Sequence, residues 1–230
     1  MYKPKIEIYA DGCNLERTKE LYDLGIVSGY TTNPTLMRKE GIDDYSKFID
    51  DFLTIVPDKP VSFMVLSDDK DHIIREAYKI SSLGNNIYVK IPATNIEGKS
   101  NITLIRNLSE YGIKINITSV FTLNQIEEIY KYNYKSPIMI SIFAGRIANT
   151  GCNPIIPFIF INKYKPSNIK TLWASSRQVY DIMNAEDCGA DIITLPYDLI
   201  DKLKLFGKDL TKYSIETTKM FSDDGLGYQL

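Results

Sequence analysis

Eight times along this chain a short run rich in β-branched residues is followed by a polar loop and then a stretch of helical periodicity. The runs fall at residues 6–10, 27–31, 61–66, 86–91, 113–118, 138–143, 169–174 and 191–195. Helical patterns occupy 15–24, 45–55, 72–83, 100–110, 123–132, 178–188 and 197–205, and the sixth run is followed by an apolar segment reaching residue 164. Gly25, Gly84, Gly112 and Gly189 stand where helices should stop, and Pro57 closes another. Eight units in 230 residues leave about 29 residues each, the size of one βα unit. No Pro/Gly/Ser linker or charge block interrupts them, so residues 1–230 read as one domain. Such a pattern folds as a closed barrel or as an open doubly wound sheet. The open sheet calls for a glycine-rich turn after the first strand, and Asp11-Gly12-Cys13-Asn14 offers a single glycine. No P-loop occurs either. The pattern therefore predicts an α/β protein, a single (β/α)8 TIM barrel.

Charge and cysteine usage remove several function classes. With 27 Lys+Arg against 29 Asp+Glu the formal charge is −2, so no basic excess favours nucleic acid. Cys13, Cys152, Cys188 and the single His72 are scattered, which argues against a structural zinc site and against a catalytic zinc held by several imidazoles. Three cysteines without framework spacing fit a reducing, cytoplasmic setting. The residues after Met1 carry no long apolar run, and the most apolar stretch, 154–161, is about half of what a bilayer needs. Neither a signal peptide nor a membrane span is expected. A thiolate at Cys13 lacks a cationic neighbour in sequence, so a buried, incidental thiol is the expectation there.

In a barrel the chemistry collects at the carboxyl ends of the strands. Those ends carry Asp11; Thr31, Thr32 and Asn33; Met64; Lys90; Asn116 and Thr118; Ser141 and Arg146; Ser175 and Arg177; and Thr194. Lys90 lies in Ile87-Tyr88-Val89-Lys90-Ile91-Pro92, an apolar strand. Such a lysine either snorkels out as an ordinary edge residue or points into the barrel mouth. Period-2 geometry puts Tyr88 and Lys90 on one face and Val89 and Ile91 on the other. If the Lys90 face is interior, desolvation lowers the amine's pKa and frees a neutral nucleophile able to attack a ketone and form an iminium. Arg146 and Arg177 suit phosphate by their bidentate guanidinium forks, with a surface ion pair as the alternative use. Arg177 is expected to open a helix, where backbone N–H groups favour an anion.

Gly29-Tyr30-Thr31-Thr32-Asn33-Pro34-Thr35-Leu36 and Tyr88-Val89-Lys90-Ile91-Pro92-Ala93-Thr94 resemble the second-strand and lysine-bearing segments of transaldolases. Asn116-Ile117-Thr118, Phe121 with Gln125, Gly145-Arg146-Ile147 and Ala174-Ser175-Ser176-Arg177 resemble that family's later strand motifs, in the same order. The length is similar to the small transaldolase and fructose-6-phosphate aldolase branch. The resemblance implies a cofactor-independent enzyme, with no metal, that acts on a small-molecule sugar phosphate and assembles as a homo-oligomer. By that resemblance Lys90 is the Schiff-base nucleophile, and Asp11 handles protons and substrate hydroxyls. Thr118 positions a catalytic water, while Thr31, Asn33, Asn116 and Ser141 hold the substrate. Arg146, Ser175 and Arg177 grip the phosphate.

One position departs from the pattern. Where family members resemble one another in carrying a carboxylate or amide on the third strand, this chain has Met64, which neither ionises nor donates. The aldolase branch uses a tyrosine on the sixth strand, and here that place holds Phe143. The departure leaves four accounts open: Asp11 and Thr118 suffice with slower turnover, the substrate differs, the chain is a sugar-phosphate-binding module without activity, or the third strand's register is shifted. An active transferase is the expectation, with simple aldol cleavage as its enzymatic rival. The tail, 223–230, is left as a lid, an oligomer contact or a frayed end.

Overall fold

The computed structural model describes residues 4–163 and 165–228; the expected segment end at Tyr164 and the last two tail residues lie outside them. Eight parallel strands close into a barrel in simple sequence order: β1 Glu7–Asp11, β2 Gly29–Thr31, β3 Val61–Met64, β4 Ile87–Pro92, β5 Ile115–Val120, β6 Ile138–Ile142, β7 Ile169–Trp173 and β8 Ile192–Pro196. Around and between them run α1 Leu15–Leu24, α2 Pro34–Lys39, α3 Tyr45–Ile55, α4 Lys70–Ser81, α5 Ile102–Glu110, α6 Leu123–Tyr130, α7 Ala144–Asn149, α8 Ile156–Asn162, α9 Asp181–Asp187, α10 Tyr197–Asp201 and α11 Leu210–Asp224. The (β/α)8 TIM barrel expected from the alternation is the fold observed. Among the described residues no helix is long and apolar enough to cross a membrane.

Local chemistry explains most element ends. Asn14 caps α1 by accepting from Arg17 N at 2.9 Å, and Gly25 ends it in the left-handed conformation, φ 66°. Asp44 and Asp69 cap α3 and α4 in the same way, each cap contributing about 1 kcal/mol. Because Asp69 is that cap, α4 starts at Lys70, two residues before the expected 72. The apolar segment after β6 is two helices, α7 and α8, separated by left-handed Gly151 and by Pro154. α2 and α11 are additions to the sequence reading. Asn33 caps α2 and Pro34 fills its first turn, a start signal that the motif around Asn33 obscured.

Two cores result. Outside the barrel wall, Tyr30, Phe48, Phe52 and Phe63 pack edge-to-face with ring centroids 5.5–6.2 Å apart. Inside it, Tyr9, Met139, Leu172 and Ile192 form a buried plug with Tyr88 and Phe143 against it. Gly29 is required here, since a Cβ at that position would stand 2.6 Å from the Tyr9 ring. Below the plug Lys170 and Glu7 form an ion pair. The lower half of the barrel is thus filled with side chains, and inward-facing polar groups are concentrated in the layers above.

Candidate active site

Lys90 is interior. Its residue is 6% exposed while Val89 and Ile91, on the outward face, are fully buried against the helices. The Nζ donates to the Thr32 carbonyl at 3.0 Å. Burial pulls the Lys90 ammonium below the ordinary lysine range, and the Asp11 carboxylate, followed by Cys13, opposes that shift without cancelling it. The edge-lysine alternative is excluded by this placement.

Two hydrogen-bonded chains occupy the same polar level of the barrel. In the first, the Thr31 hydroxyl donates to Asp11 Oδ1 at 2.8 Å and lies 2.7 Å from Thr194 Oγ1. In the second, Ser141 Oγ donates to Asn116 Oδ1 at 2.7 Å, and Asn116 Nδ2 donates to Ser62 Oγ at 2.9 Å. Asn116 is the register partner of Lys90 on β5, and Met64 is its partner on β3. Thr194 and Ser62 join these chains without a role implied by the family resemblance. Their signals are in the sequence, Thr194 as the polar residue near the end of β8 and Ser62 as the same-face neighbour two residues before Met64.

Asn33 is half-buried, and its Oδ1 accepts from Leu36 N at 3.1 Å as the cap of α2. Thr118 is 1% exposed and its hydroxyl has no partner among the described residues. The next residue, Ser119, is left-handed at φ 57° beside a register shift between Ile117 and Val120. Such a conformation in a non-glycine residue costs about 1–2 kcal/mol. Gln125 holds this turn, accepting from Phe121 N and Thr122 N and donating to the Ser119 carbonyl at 3.2 Å. Phe121 in turn packs on Phe143 at 5.3 Å between centroids. Half-buried Met64 and Phe143 make part of the upper wall apolar, and the Tyr45 hydroxyl donates to the Met64 carbonyl at 2.8 Å. Cys13 is buried and its thiol is pushed up to about 12, chiefly by desolvation, so it is a packed thiol rather than a nucleophile.

The loops that carry Arg146 and Ser175 with Arg177 meet at Gly145. Gly145 N donates to the Ala174 carbonyl at 3.4 Å, and a Cβ on Gly145 would lie 1.8 Å from the Ser175 oxygen and 3.1 Å from Arg177 Cγ. Only glycine lets the two loops approach this closely. Ser175 is left-handed at φ 65°. Both arginines are exposed and neither forms a salt bridge among the described residues, so the ion-pair alternative is not realised. The Arg146 guanidinium lies 5.3 Å from the Phe143 ring centroid. One expectation is corrected: Arg177 does not open a helix. The helix begins at Asp181, whose carboxylate accepts from Arg177 N at 2.7 Å and from Gln178 N at 3.3 Å. The Arg177 backbone N–H is therefore already bound to an acceptor, and what that residue offers an anion is its side chain.

The geometry places a desolvated primary amine among oriented hydroxyls, amides and one carboxylate, with two guanidinium groups at the rim. Among solved structures, the barrel is similar to 3-hexulose-6-phosphate synthase from Salmonella typhimurium, with TM-score 0.58, 15% identity, and coverage of 84% of this chain and 88% of that one. It is also similar to a dihydrodipicolinate synthase family protein from Coccidioides immitis, with TM-score 0.57, 13% identity, and coverage of 83% and 67%. At such identities the likeness concerns the fold. The sequence is 37% identical over 230 aligned residues to a probable transaldolase of Thermoplasma volcanium, covering 96% of this chain and 98% of that protein. It is 35% identical over 216 residues to a probable transaldolase of Methanococcus maripaludis strain C7, covering 92% and 94%. Residues 8–225 match the model of the family described as transaldolase/fructose-6-phosphate aldolase. With that match spanning nearly every strand and helix of the barrel, the chain belongs to the transaldolase/fructose-6-phosphate aldolase family.

Proposed function

We propose that this chain is a class I, imine-forming transaldolase that moves a dihydroxyacetone unit from a ketose phosphate to an aldose acceptor, acting as one domain over residues 1–230 in the cytoplasm. The observation that carries the reading is the buried Lys90 amine, held by the Thr32 carbonyl and lowered in pKa by desolvation. In the proposed reaction the neutral amine attacks the ketose carbonyl, and loss of water leaves an iminium that serves as the electron sink. Asp11 Oδ2, which has no hydrogen-bond partner among the described residues, accepts the proton of the substrate hydroxyl whose carbon–oxygen bond becomes the leaving aldehyde. Cleavage releases the donor's aldose phosphate and leaves an enamine on Lys90. The acceptor aldehyde adds to it, Asp11 returns its proton to the new hydroxyl, and water hydrolyses the resulting iminium to release the ketose phosphate and free Lys90. Asn116 and Ser141, with the Asn33 amide, hold the dihydroxyacetone hydroxyls. Thr118 orients the water of proton transfer, and Arg146, Ser175 and Arg177 bind the phosphate.

Transfer is favoured over simple aldol cleavage because Asn116 and Thr118 resemble the transferase pattern and Phe143 replaces the aldolase branch's tyrosine. Product analysis separates the two. Consumption of fructose 6-phosphate is expected to depend on added aldose phosphate acceptor, and acceptor-independent release of free dihydroxyacetone at the same rate would make the chain an aldolase.

The rim assignment has its own test. A charge-assisted hydrogen bond contributes about 1.5–3 kcal/mol, so Arg177→Ala should raise KM for phosphorylated substrates about 10- to 100-fold while leaving unphosphorylated acceptors unaffected. An equal loss on both would contradict a phosphate role.

Homo-oligomer formation belongs to the same proposal. Its support is α11, a helix of 15 residues with none buried, which leaves Leu210, Ile215, Met220 and Phe221 exposed. Apolar surface of this extent on a helix is the kind that protein contacts cover.

A further inference from the structure

We infer that Thr194, acting through Thr31, is a positioning residue for the Asp11 carboxylate, and that the Thr31 hydroxyl is engaged within the protein rather than offered to the ligand. The inference rests on the imine-forming reading above, in which Asp11 moves the proton.

The direction of the chain follows from donor inventory. An ionised carboxylate only accepts, and a hydroxyl has one proton to give. Thr31 Oγ1, 2.8 Å from Asp11 Oδ1, gives its proton to that oxygen. Thr194 Oγ1, 2.7 Å from Thr31 Oγ1, must then be the donor in the second bond. The order is Thr194 to Thr31 to Asp11, and no proton on Thr31 remains for a substrate oxygen. Both threonines are almost wholly buried, at 1% and 4% exposure, so bulk water does not compete for these bonds.

The chain also spans three strands. Asp11 is the register partner of Thr31 on β2, while β8 flanks β1 on its other side with Thr194 opposite Tyr9. β1 is thereby tied across the barrel interior to both neighbours at the level of its carboxylate. Thr194 is itself fixed, because the Ser176 hydroxyl donates to its backbone carbonyl at 2.8 Å. β-branching restricts the side-chain rotation of both threonines. With Oδ1 anchored by a hydroxyl of fixed orientation, Oδ2 is the oxygen available to a substrate hydroxyl. A threonine at residue 194 thus sets which carboxylate oxygen works and where it stands.

Thr194→Val keeps the shape and removes the donor, whereas Thr194→Ser keeps the donor. Each is assayed with fructose 6-phosphate and an aldose phosphate, alongside borohydride trapping on Lys90. Thr194→Val is expected to lower kcat about 3- to 10-fold, the scale of one hydrogen bond between neutral groups, with KM within about twofold. Its trapped adduct should form to the wild-type extent, and Thr194→Ser should recover most of kcat. A Thr194→Val enzyme at full kcat, a change confined to KM, or a Thr194→Ser enzyme as slow as Thr194→Val would each overturn the inference. If Thr194→Val does not fold, Thr31→Val against Thr31→Ser removes and restores the next donor in the same chain, the one that Asp11 accepts from directly, and kcat should again fall with valine and recover with serine. A wild type that traps no adduct would overturn the imine reading and this inference with it. A wild type that traps adduct beside a full-speed Thr194→Val would overturn only the inference.

Discussion

Borohydride added to the protein with a ketose phosphate is expected to leave a reduced secondary amine at Lys90, and Lys90→Met is expected to leave none. The variant should lose about 10⁴-fold or more in kcat, the scale on which removing a covalent nucleophile acts, while binding of the sugar phosphate survives through the rim arginines. A three-carbon adduct would report carbon–carbon cleavage as well as imine formation. The same substitution should raise stability. In the folded protein burial holds the Lys90 ammonium below its ordinary range, so the folded state carries a desolvation cost whenever the amine is charged. Methionine fills similar volume without charge, and removing an incompletely compensated polar group is expected to add about 1 kcal/mol or more, or about 2–4 °C in Tm for a chain of this size. The pH dependence has a definite sign. Between the lowered folded pKa and the unfolded value of about 10.4, the unfolded chain binds more protons, so wild-type stability rises with pH across that window. Below it the full cost is present. Lys90→Met should lack that rise, so the stability difference between the two proteins shrinks as pH approaches about 10. Thermal melts at several pH values check it, and a Lys90→Met protein less stable than wild type at neutral pH would contradict the account.

Met64→Glu is expected to increase turnover on common sugar phosphates. Met64 is half-buried at the end of β3, beside Lys90 in register, and no atom of its side chain can shuttle a proton. Thr118, with its buried and unpartnered hydroxyl, is left without an acid–base partner from β3. A glutamate at residue 64 would restore a carboxylate near the reacting carbons, and general acid–base assistance contributes about 10²–10⁴-fold. A second carboxylate near Lys90 would also favour its ammonium form, so the acid limb of the pH–rate profile should move to higher pH. Both effects are read from kcat/KM against pH. Should the rate stay flat while the limb moves, the missing relay group is not what limits this enzyme. The apolar Met64 at the end of β3 and Phe143 after β6 would then mark a substrate with less oxygen at those positions.

The strand–helix alternation was sufficient for the barrel because each unit contains its own start and stop chemistry, such as Asn14 and Gly25 around α1. Strand ends were equally legible, because inward and outward positions alternate and Lys90 interrupts an otherwise apolar run. Pairings across the barrel were not. Thr31 and Thr194 are 163 positions apart in sequence and 2.7 Å apart in space, and no local pattern encodes that contact. Arg177 failed for a related reason. Its helix was placed by periodicity, whereas a side chain four residues later, Asp181, captures the backbone N–H groups and delays the first turn. α11 was overlooked because none of its residues is buried, so its pattern has no apolar face turned to the core.

The stopper formed by Tyr9, Met139, Leu172 and Ile192, seated where Gly29 gives way, fills the barrel on the side of Lys90 away from the strands' carboxyl ends. Under the proposed chemistry the departing aldose phosphate and the incoming one would then use the same carboxyl-end face in turn. The kinetic signature of such traffic is two-stroke, with parallel double-reciprocal lines and with each aldose competing against the other for the same vestibule.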